Sequence, residues 1–261
     1  MPVRYDFGDG VATVTFDRPE VLNAFDENLG RDALAAVRRA AGDESVRCVV
    51  LTGAGRAFSS GQDLAALRAD YSDGATPDLS RILRDYYNPL IRAICGAPKP
   101  VVAALNGVAA GAGASIALAC DFRIASEEAK LVFPFFAVAL VPDSGALWFL
   151  ARMIGHARAW DLVAAGAPVG AREALDLGLV NEVVGAEELG ERCLAFAARL
   201  AAGPTGAYAL TKALLYSAPE TTLADALERE AQAQGQAGRT ADHREGVEAW
   251  LAKRTPRFGG R

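Results

Sequence analysis

At 261 residues, with 51% of them apolar and a formal net charge of −5, the chain has the composition of a globular protein able to bury a sizeable core. That balance excludes a disordered chain and a general nucleic-acid binder. With acidity this mild, an anionic ligand has to be held by local groups and not by the overall field.

The N-terminal stretch MPVRYDFGDGVATVTF lacks a basic-then-apolar signal region, and charged residues interrupt every long apolar run before it could cross a bilayer. The expectation is a cytoplasmic protein with neither a membrane nor a nucleic-acid partner. Val11–Phe16 alternates with period two and reads as a half-buried strand. Residues 46–53, 99–107 and 121–126 are short runs rich in Val, Ile or Leu that read as more deeply buried strands. Between Val11–Phe16 and the run at 46–53, Leu29, Ala33, Ala36, Val37 and Ala40 recur at helical spacing, with Asp26 as N-cap and Gly42 as stop. The mixture predicts an α/β architecture.

Two segments have the shape of sites. In GAGRAFSSGQDLAAL a strand ends at Thr52 and a turn containing Gly61 leads to a helix near Asp63. In NGVAAGAGASIALACD a strand ending near Leu105 runs through Gly107, Gly111 and Gly113 into a helix carrying Ile116, Leu118 and Ala119. Small residues before a helix let a ligand approach the backbone, and the helix start leaves N–H groups unpaired. Tight helix packing explains small residues equally well. A dinucleotide fingerprint fails because Ile116 stands where its last glycine belongs, and no GK[ST] phosphate loop occurs, so a small oxyanion suits these N–H groups better. The polar run around residues 70–80 is the best candidate for a mobile loop.

The segment LVFPFFAVALVPDSGALWFLAR contains one ionisable group before its final arginine, Asp143. An unpaired carboxylate in apolar surroundings costs several kcal/mol, roughly, unless it is hydrogen-bonded or its pKa moves. The residues alone leave two readings open: Asp143 or Ser144 caps the following helix, or Asp143 does chemistry. From about residue 186 the pattern is helical only, with Leu189, Cys193, Phe196, Ala197 and Leu200 on one face, Pro204 opening the next helix, and further helices over 221–236 and 240–253. Faces this apolar predict packing on the core or on another subunit.

The four cysteines, Cys48, Cys95, Cys120 and Cys193, are widely spaced in apolar company and read as reduced core thiols. His156 and His243 have no neighbouring ligand set, so neither a metal nor a cofactor is expected.

Taken together, these blocks resemble the crotonase (enoyl-CoA hydratase/isomerase) superfamily over almost the whole chain. FDRPEVLNAFD is similar to its RP-x-x-x-NA turn and GAGRAFSSGQDL to its G-x-x-F-x-x-G-x-D-L segment. PKPVVAALNGVAAGAGASIALACDFRIAS is similar to its central signature, and AREALDLGLVNEVV and DHREGVEAWLAKRTPRF to its later blocks. The resemblance implies a spiral of ββα units over residues 1–200 and a helical trimerisation region over 201–261. It also implies a coenzyme A thioester substrate and a homotrimer or dimer of trimers. It further implies an oxyanion hole made by the backbone N–H groups of Gln62 and Ala112, with Gly61, Asp63, Leu64, Gly111, Ser115 and Phe135 around the substrate.

Hydratases of the family carry two glutamates at positions that fall here on Ser115 and Phe135. Asp143, in LVPDSG, resembles instead the catalytic aspartate of the 1,2-epoxyphenylacetyl-CoA isomerase branch, as do YYNPLIRAI and NGVAAGAGA. The implied reaction is migration of a double bond, or opening of a ring epoxide, by one aspartate base in a pocket lined by residues such as Phe133, Phe135 and Phe136. Ser115 lacks a histidine or lysine to activate it as a nucleophile and is expected as polar lining; Asp63 is expected as a cap, and Arg18 as a phosphate contact or a salt bridge. A hydratase or thioester hydrolase using Asp143 with water, and a non-catalytic acyl-CoA-binding scaffold, are the alternatives.

Overall fold

The computed structural model describes residues 1–71, 76–218 and 221–260, so the loop expected over 70–80 lies partly outside the described residues. Ten strands are seen among them: β1 (Val3–Gly8), β2 (Val11–Phe16), β3 (Cys48–Gly53), β4 (Ala57–Ser59), β5 (Val101–Leu105), β6 (Val108–Ala110), β7 (Phe122–Ser126), β8 (Lys130–Val132), β9 (Val169–Gly170) and β10 (Glu182–Val184). The helices are α1 (Glu27–Gly42), α2 (Leu64–Asp70), α3 (Leu79–Ile82), α4 (Asn88–Cys95), α5 (Ala112–Ala119), α6 (Ala146–Ile154), α7 (His156–Ala165), α8 (Ala171–Asp176), α9 (Leu189–Ala201), α10 (Thr205–Ser217), α11 (Leu223–Ala237) and α12 (Ala241–Leu251).

The strands form two sheets, in the orders β1-β2-β3-β5-β7-β10 and β4-β6-β8-β9. Pairing is parallel except at β1–β2 and β8–β9. Successive strands drop from the first sheet to the second before the chain turns into a helix: β3, β4, α2, and then β5, β6, α5. This is the expected ββα spiral. The expected strand at 11–16 is β2 residue for residue, and the three apolar runs become β3, β5 and β7, each slightly shorter than its run. Strands β1 and β10 and the second sheet had no counterpart in the expectation. β10 and the strands of the second sheet, two or three residues each, are too short to display a period, and β1 is exposed along most of its six residues, so no apolar alternation marks it.

Alternation explains why the central runs are so apolar, because both faces of the large sheet are covered. Val49, Leu51, Val101, Ala103 and Leu105 face the main core with α1, α4 and α5. Cys48, Val50, Val102, Ala104 and Ile124 point the other way, onto Leu189, Cys193, Ala197 and Leu200 of α9. The cysteines are all unpaired, three of them buried, and burial pushes the thiols of Cys48 and Cys193 up to about 12.

Helix α1 begins where expected: the Asp26 side chain accepts from the Leu29 N–H at 2.8 Å. Gly42 is its last residue, with Asp43 in extended conformation beyond. Helix α10 is pinned to the large sheet by a buried ion pair, Lys212 Nζ to Asp121 Oδ2 at 2.8 Å, and Lys212 also donates to the Ile94 carbonyl. The apolar face of α9 packs on the large sheet, as expected, while on the outer helices Leu223, Trp250 and Leu251 are exposed. No helix among the described residues is long and apolar enough to cross a membrane.

Candidate active site

The two glycine turns meet. Gly61 adopts φ +88°, and a Cβ there would lie 2.7 Å from the Ala110 carbonyl oxygen and 3.4 Å from the Ala112 nitrogen. Only glycine lets the first turn come this close to the second. Gly111 has φ +52° and ψ −123°, which turns the chain from β6 into α5. Gly113 seats α5 on β4, since a Cβ there would fall 2.6 Å from the Ser59 carbonyl oxygen.

Hydrogen bonds around these turns leave donors over in both. The Phe25 N–H donates to the Gly61 carbonyl, the Asp63 N–H to the Phe25 carbonyl, and the Gly111 N–H to the Val132 carbonyl. Ser59 Oγ accepts from the Gly61 N–H and donates to the Asn23 carbonyl. The N–H groups of Gln62 and Ala112 meet no acceptor among the described residues. Two adjacent main-chain donors, one of them at the start of a helix, can hold a developing oxyanion.

Buried and half-buried side chains brace the first turn. Asn23, with φ +55°, donates from Nδ2 to the Ala54 and Ala57 carbonyls and accepts the Arg18 N–H. Arg18 bonds the Ala24 carbonyl at 2.6 Å and pairs with Asp26 at 3.3 Å and Asp63 at 3.1 Å. Of its two expected roles, this is the salt bridge. Asp63 is the cap it was expected to be, since its Oδ1 accepts from the N–H groups of Ala65 and Ala66. Leu64, at the first position of α2, is exposed.

Asp143 does not cap α6. The N-cap is Gly145, with φ +83° and no side-chain hydrogen bond, and the Ala146 N–H takes the main-chain carbonyl of Asp143. Ser144 is no cap either: its hydroxyl donates to Asp143 Oδ1 at 2.9 Å. The Asp143 carboxyl is thus free of its own helix and partly buried, and desolvation pushes its pKa above the ordinary carboxylate value while the Ser144 bond pulls it back. Ser144 is buried and sits at φ +52°, a conformation that costs a non-glycine residue about 1–2 kcal/mol.

Ser115 joins the donor turn to this loop. Fully buried on α5, its hydroxyl is bonded to the Gly111 carbonyl at 3.2 Å and to the Asp143 carbonyl at 3.1 Å. The serine expected to line the pocket is therefore turned inward. The aromatic lining also departs from expectation: Phe133 and Phe135 are packed into the core, while Phe136 is exposed and meets Trp160 edge-on. The run alternates too little to reveal which rings turn in, because Phe135–Val138 form a 3-10 turn. His156 and His243 are exposed.

Tyr87 was not singled out from the sequence. Buried, it donates to Gln62 Oε1 at 2.7 Å, and its pKa is pushed up by desolvation and then by the charges of Asp143, Asp26 and Asp63. It ends a π-helical turn, Leu83–Tyr87, between α3 and α4. Pro89 explains the turn: a proline clashes with the carbonyl four residues back, and here the Asn88 N–H reaches five residues back to the Leu83 carbonyl. Asn-Pro inside a helical pattern was the available signal. A separate cavity of about 650 Å³, lined by Leu118, Trp148, Phe149, Leu200, Lys212 and Tyr216 among others, includes none of the candidate residues.

Comparison with known proteins finds relatives over almost the whole chain. The family model for enoyl-CoA hydratase/isomerase matches residues 6–261. A Rhodobacter capsulatus protein named "Probable enoyl-CoA hydratase" is 43% identical, covering 99% of this chain and 98% of its own. The 1,2-epoxyphenylacetyl-CoA isomerase of Escherichia coli K12 is also 43% identical, covering 97% and 96%. The crystal structure of an enoyl-CoA hydratase from Bacillus anthracis superposes with a TM-score of 0.92 at 31% identity, with full coverage of both chains (100% each).

Proposed function

The chain belongs to the enoyl-CoA hydratase/isomerase family, and on that premise we propose that it isomerises a coenzyme A thioester, shifting a double bond or opening a ring epoxide without consuming water. The observation that carries the reading is the Asp143 carboxyl, partly buried and not engaged by the helix it precedes.

In this reading the thioester carbonyl oxygen accepts from the N–H groups of Gln62 and Ala112, and the carbons conjugated with it become acidic. One such donor contributes about 2.7–4 kcal/mol to the transition state. Asp143 takes a proton from one carbon and returns it at another. The enolate electrons move the double bond, and nothing is gained or lost overall. Burial favours this exchange, because a carboxylate with a raised pKa is the stronger base, and positioned proton transfer contributes on the order of 10²–10⁴-fold. Ser115 and Phe135, at the two positions where hydratases of the family carry glutamate, supply no second carboxylate for activating water. Gly61, Asp63, Leu64 and Gly111 shape the approach to the donors.

Hydration is the second reading, favoured by the equal 43% identity to the Rhodobacter capsulatus relative. Asp143→Asn and the native protein are compared on a panel of enoyl-CoA and epoxyacyl-CoA thioesters, with turnover and binding measured separately in ¹⁸O-labelled water. Lost turnover with retained binding and no label in the product is the expected result. Unchanged turnover in the variant refutes the proposed base, and label in the product transfers the assignment to hydration. The exposed Leu223, Trp250 and Leu251 support a homotrimer or dimer of trimers, which sedimentation of the 27.3 kDa chain checks, a monomer being the adverse result.

A further inference from the structure

We infer that two serines, Ser144 and Ser115, bracket Asp143 and position it for proton transfer, Ser144 from its carboxylate and Ser115 from its main-chain carbonyl. The inference rests on the reading of Asp143 as the proton carrier.

Each half of the bracket has its own geometry. Ser144 Oγ holds Asp143 Oδ1 at 2.9 Å, and Oδ2 takes no hydrogen bond among the described residues. Ser144 thus selects the oxygen that carries the proton, and it fixes the side-chain torsion that aims it. Ser115, 28 residues earlier, donates to the Asp143 carbonyl, and the same hydroxyl touches the Gly111 carbonyl. Gly111 precedes Ala112, so one buried hydroxyl ties the loop of the base to the turn that presents the oxyanion donor. The relative position of base and donor is what such a reaction depends on, since a misplacement of about 1 Å costs on the order of a hundredfold. At the position where hydratases place a catalytic glutamate, this chain has a fastener.

The groups facing Asp143 keep the titration simple. Tyr87, at the start of α4, is the titratable side chain that feels its charge, and burial together with Asp143, Asp26 and Asp63 holds that phenol protonated. Helix α5 and the Phe135–Val138 turn contain no titratable residue, and the one charged residue of α6, Arg152, lies in its last turn over Trp148.

Ser144→Ala, Ser144→Gly and Ser115→Ala are compared with the native enzyme on a short-chain 3-enoyl-CoA, with Asp143→Asn in parallel. Both Ser144 variants are expected to lower kcat by about ten- to a hundredfold with KM within about threefold. They also move the acid limb of kcat/KM to higher pH, because the lost hydroxyl favoured the charged carboxylate. Ser115→Ala lowers kcat but leaves that limb in place. Ser144→Gly separates positioning from structure, since glycine accepts the left-handed backbone freely. Native kcat and an unmoved limb in Ser144→Gly overturn the bracket while lost turnover in Asp143→Asn leaves the base standing. Full turnover in Asp143→Asn overturns both.

Discussion

Replacing Gly61 with alanine strikes the point where the two donor turns touch. The new Cβ falls 2.7 Å from the Ala110 carbonyl oxygen, about 0.7 Å inside the 3.4 Å at which ordinary contact begins. Ala110 is held by its pairing with Val132 on β8 and by the neighbouring Gly111 N–H on the Val132 carbonyl, so the Gly61–Gln62 peptide has to yield. A shift of that size takes the Gln62 N–H off an oxyanion aligned with Ala112, and removal of one such donor costs about 10²–10³ in kcat. The φ of +88° adds about 1–2 kcal/mol of folding cost, which a thermal melt reads separately. The assay is turnover of a short-chain 3-enoyl-CoA beside calorimetric binding of the saturated analogue. The expected outcome is a drop in kcat of about a hundredfold or more, with binding within a few-fold. A folded Gly61→Ala protein with native turnover would show that the donor pair does not hold the reacting oxygen.

Three other perturbations have defined outcomes. Tyr87→Phe strands the Gln62 carboxamide oxygen and is expected to cost about 1–3 kcal/mol, measured by urea denaturation. Lys212→Met leaves Asp121 unpaired beneath α10 and is expected to cost about 3–5 kcal/mol, a loss that Asp121→Asn in the same chain partly restores. Asp143→Asn is expected to stabilise the protein at neutral pH. A carboxyl whose folded pKa is raised favours folding while protonated and loses that contribution as pH rises through the raised value. The difference in melting temperature between Asp143→Asn and native protein should therefore shrink as pH falls, and a difference independent of pH would contradict the burial of this group.

Periodicity and composition by themselves determined the α/β class, and the family motifs implied the spiral of ββα units. The strands at β2, β3, β5 and β7, the Asp26 cap, the all-helical C-terminus and the approach of glycine turns to helix starts were legible because each is set by residues close in sequence. Family motifs located Gln62, Ala112 and Asp143 as the residues worth examining. The small second sheet was not legible, since strands of two or three residues show no period.

Tertiary structure alone decided what those residues touch. Asp-Ser-Gly before a helix is sound capping chemistry, yet Gly145 takes the cap, Ser144 turns to the carboxylate, and the question posed by Asp143 is resolved against capping. Ser115 turns inward and Phe133 and Phe135 enter the core, which only the packing of α5 against the loop before α6 could dictate. Tyr87 reaches Gln62 across 25 residues of sequence through a widened helical turn. A hydrogen-bond partner far along the chain is chosen by how elements pack, and local patterns in the sequence contain the identity of each element but not its neighbour.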